Sequence, residues 1–238
     1  QASKSLHWRQ AMQDEFNALL ENGTWSLVPH SPSQNLVGCK WVFRIKRKPD
    51  GSIDRYKARL VAKGFHQQEG LDYTETFSPV AKPVTIRLLL TLAAQFDWFL
   101  NQLDVSNAFM HGTLSDSVFM QQPPGFQDPA QPNSVCMLHK SLYGLKQAPR
   151  AWYDKLHGAL LSLGFVGSKS DHSLFVKKEP HMVFILVYVD DILVTGPSSS
   201  ACKSVICQLS TLFPIKDLGS LHYFLGLEVK RYSKGIFV

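Results

Sequence analysis

The run from Phe184 to Val194 places two adjacent carboxylates, Asp190 and Asp191, between two strongly apolar segments. Residues 183–189 and 192–194 are rich enough in β-branched and aromatic side chains to form the two arms of a β-hairpin. The aspartates then fall at its bend, held by rigid strands. Side by side they repel one another unless a proton or a cation neutralises one. A hard divalent cation such as Mg²⁺, which prefers oxygen ligands, is the natural partner. A plain Asp-Asp turn is the competing reading, since Asp favours turns through local hydrogen bonds. The hairpin alone does not separate the two.

Charge is unevenly distributed. The 238-residue chain carries a formal net charge of +6. Between residues 40 and 63 there are nine basic side chains (Lys40, Arg44, Lys46, Arg47, Lys48, Arg55, Lys57, Arg59 and Lys63) against Asp50 and Asp54. That local surplus exceeds the net charge of the whole chain. It is the electrostatic footprint of a polyanion site, for nucleic acid or nucleotide phosphate. The turn at 49–52 divides this stretch into strands at 37–45 and 53–64. Alternation places Trp41, Phe43 and Ile45 on one face. Lys40, Arg44 and Lys46 take the other, and Lys57, Arg59 and Lys63 also share a face.

Other features narrow the class. Hydrophobic content of 45% and charged content of 18% describe a folded globular chain. Cys39, Cys136, Cys202 and Cys207 have no zinc-type spacing, which favours free thiols in a reducing compartment. No signal peptide is visible, and the apolar run from Met182 is too short to span a bilayer, so no membrane partner is expected. With no methionine before Met12, the sequence reads as part of a longer polypeptide.

Helical periodicity marks an amphipathic N-terminal helix through Trp8, Met12, Phe16, Leu19 and Leu20, stopped by Asn22-Gly23. Further helices are predicted over 85–97, from about Ser106, around Trp152–Leu163 and over 201–213. Strands are predicted to end at Asp104 and to cover 173–176 and 183–194, with a strand pair over 221–238. The loop carrying Pro123, Pro124, Gly125, Pro129 and Pro132 lies between. The order predicts an α+β fold: a four-stranded antiparallel sheet of the split βαβ, ferredoxin-like kind, with two helices on one face.

That topology brings Asp104, at a strand end, beside the hairpin. Three carboxylates in one pocket require heavy positive compensation. Two divalent ions about 3.5–4 Å apart supply it in enzymes of in-line phosphoryl transfer. In such a site one ion activates a 3′-hydroxyl and the other steadies a departing pyrophosphate, with the basic face holding the triphosphate.

These residues lie in segments that resemble the reverse transcriptase domain of copia-type LTR retrotransposons, part of a Gag-Pol polyprotein. The matching stretches are KWVFRIK, DGSIDRYKARLVAKGFHQQEGLDYTETFSPV, QLDVSNAFMHG, QQPPGF, KSLYGLKQAPRAWY, LVYVDDILVTG and DLGSLHYFLGLEV, in order and nearly end to end. The resemblance implies a right-hand polymerase. Its fingers would cover residues 1–100 with part of 112–150, and its palm 101–238. The thumb and RNase H would lie outside the sequence, and low processivity follows as an expectation.

The resemblance also assigns roles. Asp104, Asp190 and Asp191 are the catalytic carboxylates and, with the Val105 carbonyl, the ligands of two Mg²⁺ or Mn²⁺ ions. Lys57 and Arg59 are the cations for the triphosphate, and which of them touches it stays open. Backbone amides at Asn107 and Ala108 suit the triphosphate, and Phe109 screens the ribose 2′-hydroxyl. Tyr143, Gly144, Lys146, Gln147 and Arg150 position template and nucleotide. Tyr188 and Val189 pack under the primer end, Lys216 protonates pyrophosphate, and Tyr223, Phe224, Leu225 and Gly226 grip the primer. The implied partners are a template-primer duplex, dNTPs, and the integrase and RNase H of the polyprotein, in a cytoplasmic virus-like particle. Two alternatives stand beside this: a catalytically silent relic that still binds nucleic acid, and a palm polymerase that makes RNA.

Overall fold

The computed structural model describes residues 5–48, 50–232 and 235–237. In chain order the first elements are α1 (Leu6–Glu21), β1 (Trp25–Pro29), β2 (Leu36–Val37), β3 (Cys39–Arg47), β4 (Ile53–Ala62), α2 (Pro83–Gln95), β5 (Phe99–Val105), β6 (Thr113–Met120) and β7 (Ser134–Lys140). They are followed by α3 (Ala148–Ser162), β8 (Val166–Gly167), β9 (Leu174–Lys177), β10 (Val183–Tyr188), β11 (Asp191–Gly196), α4 (Ser199–Leu212) and β12 (Ile215–Ser220). Three short hairpin segments, β13 (Tyr223–Phe224), β14 (Leu227–Glu228) and β15 (Lys230–Tyr232), and finally β16 (Gly235–Phe237), complete the chain.

The chain divides into two compact units: residues 1–77 with 109–152, and 78–108 with 153–238. The boundary expected near residue 100 falls instead after Phe77. The reason is α2, whose Ile86, Leu89, Leu90 and Ala93 share a core with Leu100, Leu186 and Leu193 of the second unit's sheet.

In the first unit, β1-β7-β6-β2 form one sheet and β3-β4 a separate hairpin. The hairpin register opposes Arg44 to Lys57 and Val42 to Arg59, so the basic side chains share a face as alternation requires. The opposite face buries Ala58, Leu60 and Ala62. Pro49 of the predicted turn lies outside the described residues. Its neighbours close the turn, with the Gly51 amide donating to the Lys48 carbonyl and Asp50 accepting from Ser52. β1, β6 and β7 were not anticipated from the sequence. β1 is an edge strand of near-uniform intermediate burial, and β6 and β7 are the inner strands on either side of the proline-rich loop.

The second unit carries a six-stranded sheet in the order β12-β5-β11-β10-β9-β8, antiparallel at every junction. Beside β5, β9, β10 and β11 it gains two strands that were not predicted, β12 beyond β5 and β8 beyond β9. Leu100, Leu186 and Leu193 face α2 together with Leu221, Phe224 and Val229. On the other face, Phe175 packs against Tyr153 and His157 of α3. A Cβ added at Gly196, on that same face by alternation, would meet Cys202 of α4 at 3.4 Å. α3 and α4 thus lie on one face and α2 on the other.

The helix predicted from Ser106 is replaced by a turn and a 3-10 segment, Ala108–His111. Asn107 has φ 54°, a left-handed conformation that stops helix initiation there. Gly112 then packs so closely that a Cβ would lie 2.7 Å from the Ala151 carbonyl carbon. The four cysteines are free thiols, with Cys39, Cys136 and Cys202 buried. Among the described residues no helix is long and apolar enough to cross a membrane.

Candidate active site

The β10–β11 hairpin pairs Tyr188 with Asp191, leaving Val189 and Asp190 as a two-residue connection. Such tight connections need a positive φ, and Val189 supplies it at 56°. A β-branched residue there is strained, by roughly 1–3 kcal/mol, and its neighbours on both strands hold it. Asp191 is therefore the first residue of β11, not a loop residue. Its cross-strand partner on β5 is Asp104. The Asp190 carbonyl accepts the Val105 amide at 2.9 Å, which ties the bend to the end of β5. On the far side of β5, Lys216 of β12 pairs with Asp104. The sequence alone did not show β12; a short strand broken by a bulge at Asp217/Gly219 has too little alternation to read.

Asp104 and Asp191 project from the same sheet face, next to each other. Burial raises the Asp191 carboxyl above its ordinary value, the Gln102 amide opposes the shift, and the charges of Asp190 and Asp104 add to it. A half-buried carboxylate raised mainly by burial, with like charges beside it, favours a cation. Nearby in the chain, the Asn107 Oδ1 is buried and accepts no hydrogen bond. Carboxylate oxygens are the donors that Mg²⁺ or Mn²⁺ takes, and the paired Asp104 and Asp191 offer that chemistry. Among the described residues, no group of three or more His, Cys, Asp or Glu side chains is close enough together to hold a metal.

The first unit contains Lys57, Arg59, Phe109, Tyr143, Gly144, Lys146, Gln147 and Arg150. Lys57 and Arg59 lie on one face of β4, so strand register does not choose between them. The Arg59 guanidinium sits 5.0 Å from the Tyr143 ring centroid, and its Nε is buried without a partner. Tyr143 meets Phe109 edge-on at 5.1 Å, and its carbonyl accepts the Ala62 amide at 2.8 Å. Phe109 is fixed through its own carbonyl, which receives the Ser141 hydroxyl and the Gly112 amide. Gly144 has φ 91°, and a Cβ there would lie 2.2 Å from the Ala62 carbonyl oxygen.

Lys146 donates to the Tyr73 hydroxyl at 3.0 Å, and Arg150 to the Phe77 carbonyl at 3.2 Å. Gln147 is only 3% exposed. Its amide accepts from Gln67 at 2.9 Å and donates to the Asp72 carbonyl at 2.8 Å. In this arrangement its side chain holds the 64–73 loop and has no free group to offer a nucleotide.

The expected primer-gripping segment is the β13–β14 hairpin of the second unit, turned by Leu225 (φ 50°) and Gly226 (φ 89°). Tyr223 is 60% exposed, whereas Phe224 is 1% exposed and belongs to the core under α2. Alternation assigns the surface role to Tyr223 and an anchoring role to Phe224.

Three residues escaped sequence reading: Gln102, Gln67 and Glu15. Glu15, on the inner side of α1, is 7% exposed, and its Oε1 has no partner. Its place between Met12 and Leu19 at helical spacing is a signal that could have exposed it. Gln102 and Gln67 give no comparable signal, because their partners come from distant strands and loops.

Comparison with known proteins agrees with the motifs. The family profile described as reverse transcriptase (RNA-dependent DNA polymerase) matches residues 22–238. The chain belongs to the reverse transcriptase family. It is 55% identical over 238 residues to the retrovirus-related Pol polyprotein from transposon RE1 of Arabidopsis thaliana, covering 99% of this chain and 16% of that protein. To the Pol polyprotein from transposon TNT 1-94 of Nicotiana tabacum it is 43% identical over 224 residues, covering 93% and 17%. The chain thus spans less than a fifth of either of these two Pol polyproteins, and the copia-type Pol resemblance is borne out. Among solved structures, a prototype foamy virus protease-reverse transcriptase aligns over 91% of this chain and 24% of that one, at 16% identity and TM-score 0.44.

Proposed function

We propose that this reverse transcriptase domain is an RNA-directed DNA polymerase, extending a primer 3′-hydroxyl with dNTPs on an RNA or DNA template. The observation that carries this reading is the cross-strand pair Asp104–Asp191 at the end of the hairpin that presents Asp190. Two Mg²⁺ or Mn²⁺ ions bound by Asp104, Asp190, Asp191 and the Val105 carbonyl would supply the positive charge that in-line phosphoryl transfer needs.

This chain's own groups would do the rest. Asp104 and Asp191, fixed by strand pairing, hold their oxygens on rigid elements, which limits reorganisation during reaction. Lys216, across the ladder from Asp104, is the proton donor to departing pyrophosphate. In the first unit, Lys57 and Arg59 bind the triphosphate and Phe109 excludes the ribose 2′-hydroxyl. Tyr143, Gly144, Lys146 and Arg150 position template and nucleotide, with Gln147 acting through the loop it holds. The 223–226 hairpin grips the primer. In this reading the second unit is the palm and the first the fingers.

The test is dTTP incorporation on poly(rA)/oligo(dT) with Mg²⁺ or Mn²⁺, beside an Asp190→Asn, Asp191→Asn control. Metal-dependent extension that disappears in the control supports the reading. Folded protein that binds the template-primer but extends nothing would support the silent relic instead.

A further inference from the structure

Gln102 lies midway along β5 between Leu100, which is buried under α2, and Asp104. All three share the sheet face that carries Asp191. Gln102 pairs with Leu193, one step inward from the Asp104–Asp191 pair. From that diagonal position its Nε2 donates to Asp191 Oδ1 at 3.2 Å. Its neighbour on the β12 side is Gly219, where an added Cβ would meet nothing within 4 Å.

We propose that Gln102 is a positioning residue: its amide holds one oxygen of Asp191 and so directs the other at the metal site. The proposal rests on the polymerase reading above. Its chemistry is general. A carboxylate has two equivalent oxygens and a free rotation about its last bond, and a donor on one oxygen selects the orientation of the other. Partners of this kind typically contribute about 10–100-fold to metal affinity or activity. Leu100 at the corresponding inward position cannot donate, and Lys216 is on the opposite strand neighbour, so Gln102 is the amide donor that Asp191 has within β5. If Gln102 were merely a half-buried polar residue in search of any partner, its removal would alter stability and leave metal binding alone.

The test compares the full chain with Gln102→Met, which keeps the length and loses the donor, and Gln102→Asn, which keeps a shorter amide. Mn²⁺ binding is measured by paramagnetic resonance titration, with Asp104→Asn marking which binding belongs to the site. Metal-free thermal unfolding is recorded for each variant. The expected result is Mn²⁺ binding weakened about 10-fold in Gln102→Met, less in Gln102→Asn, with metal-free unfolding little changed. In primer extension kcat falls, KM for dTTP holds, and added Mg²⁺ recovers part of the loss. Wild-type Mn²⁺ affinity in Gln102→Met, or in Gln102→Leu (which also lacks the donor) should the former not fold, overturns the role of Gln102 alone. Absence of any Asp104-dependent Mn²⁺ binding in the wild type overturns the metal reading and this inference with it.

Discussion

Lys216 stands directly across the β12–β5 ladder from Asp104, whose other neighbour is Asp191. One carboxylate is therefore flanked by a like charge on one strand and an opposite charge on the next, at separations set by strand spacing. In the proposed mechanism this lysine is the proton donor to the departing pyrophosphate. Replacing it with alanine is expected to lower kcat by roughly 10²-fold, the common contribution of a positioned acid. Lys216→Arg should keep the electrostatic part and lose much of the proton transfer. Single-turnover extension across pH separates the two, because only the proton-transfer role predicts that arginine fails to restore the rate.

Gly144 joins the Tyr143–Gln147 segment to the end of β4. Its left-handed backbone, and the Ala62 carbonyl oxygen only 2.2 Å from where a Cβ would stand, leave no room for a side chain. Gly144→Ala is expected to cost about 2–5 kcal/mol, combining left-handed strain with overpacking. Gly125 also has a positive φ, 85°, but open space around it. Gly125→Ala should cost only the strain, about 1–2 kcal/mol. Urea unfolding of both variants checks the difference; equal losses would mean that the close approach to Ala62 is not rigid.

Those two glycines illustrate what could be read from the sequence. The hairpin at 183–196, the basic face of β3–β4 and the strand ending near Asp104 were legible, because alternation and turn residues are local signals. Motif order then supplied the family. The strand carrying Lys216 was not legible, since six residues with a bulge show no period. Nor was the covering of the sheet by α2, which depends on Leu186 and Leu193 lying opposite a helix a hundred residues earlier. The diagonal bond from Gln102 to Asp191 and the burial of the Gln147 amide depend on tertiary register, on which local sequence is silent.

Asp171 is buried, 4% exposed, and caps α2 from a distant loop. It accepts from the Lys82 amide at 3.1 Å and the Thr85 hydroxyl at 2.5 Å, and also from Ser173. Burial pushes its carboxyl up, but the hydrogen bonds from Ser173, Thr85 and Lys82 together outweigh it and leave the group below its ordinary 3.8. A lowered carboxylate contributes stability that is present above its unfolded pKa and is lost as pH falls through the folded one. Asp171→Ala is expected to cost about 1–3 kcal/mol at pH 7 by stranding these donors, and progressively less as pH falls below 3.8. A variant whose deficit in urea stability stays constant through that acid range would argue against the carboxylate as the cap.

Glu15 has the opposite sign. Burial dominates and raises its carboxyl above 4.5, although the Leu60 amide and the charges of Lys57 and Arg59 pull it down. For a raised carboxylate the folded state holds its proton more tightly than the unfolded chain. The stability it contributes is therefore full below the unfolded value and is lost as pH rises through the folded one. Glutamine has the same shape and carries no charge to desolvate. Glu15→Gln is accordingly expected to be at least as stable as the wild type at pH 7.5, with the advantage vanishing as pH falls toward 4. Thermal unfolding across that range tests this. A wild type more stable than the variant at pH 7.5 would show that attraction to Lys57 and Arg59 outweighs burial. Glu15 would then be the counter-charge that holds the basic face of β4 together.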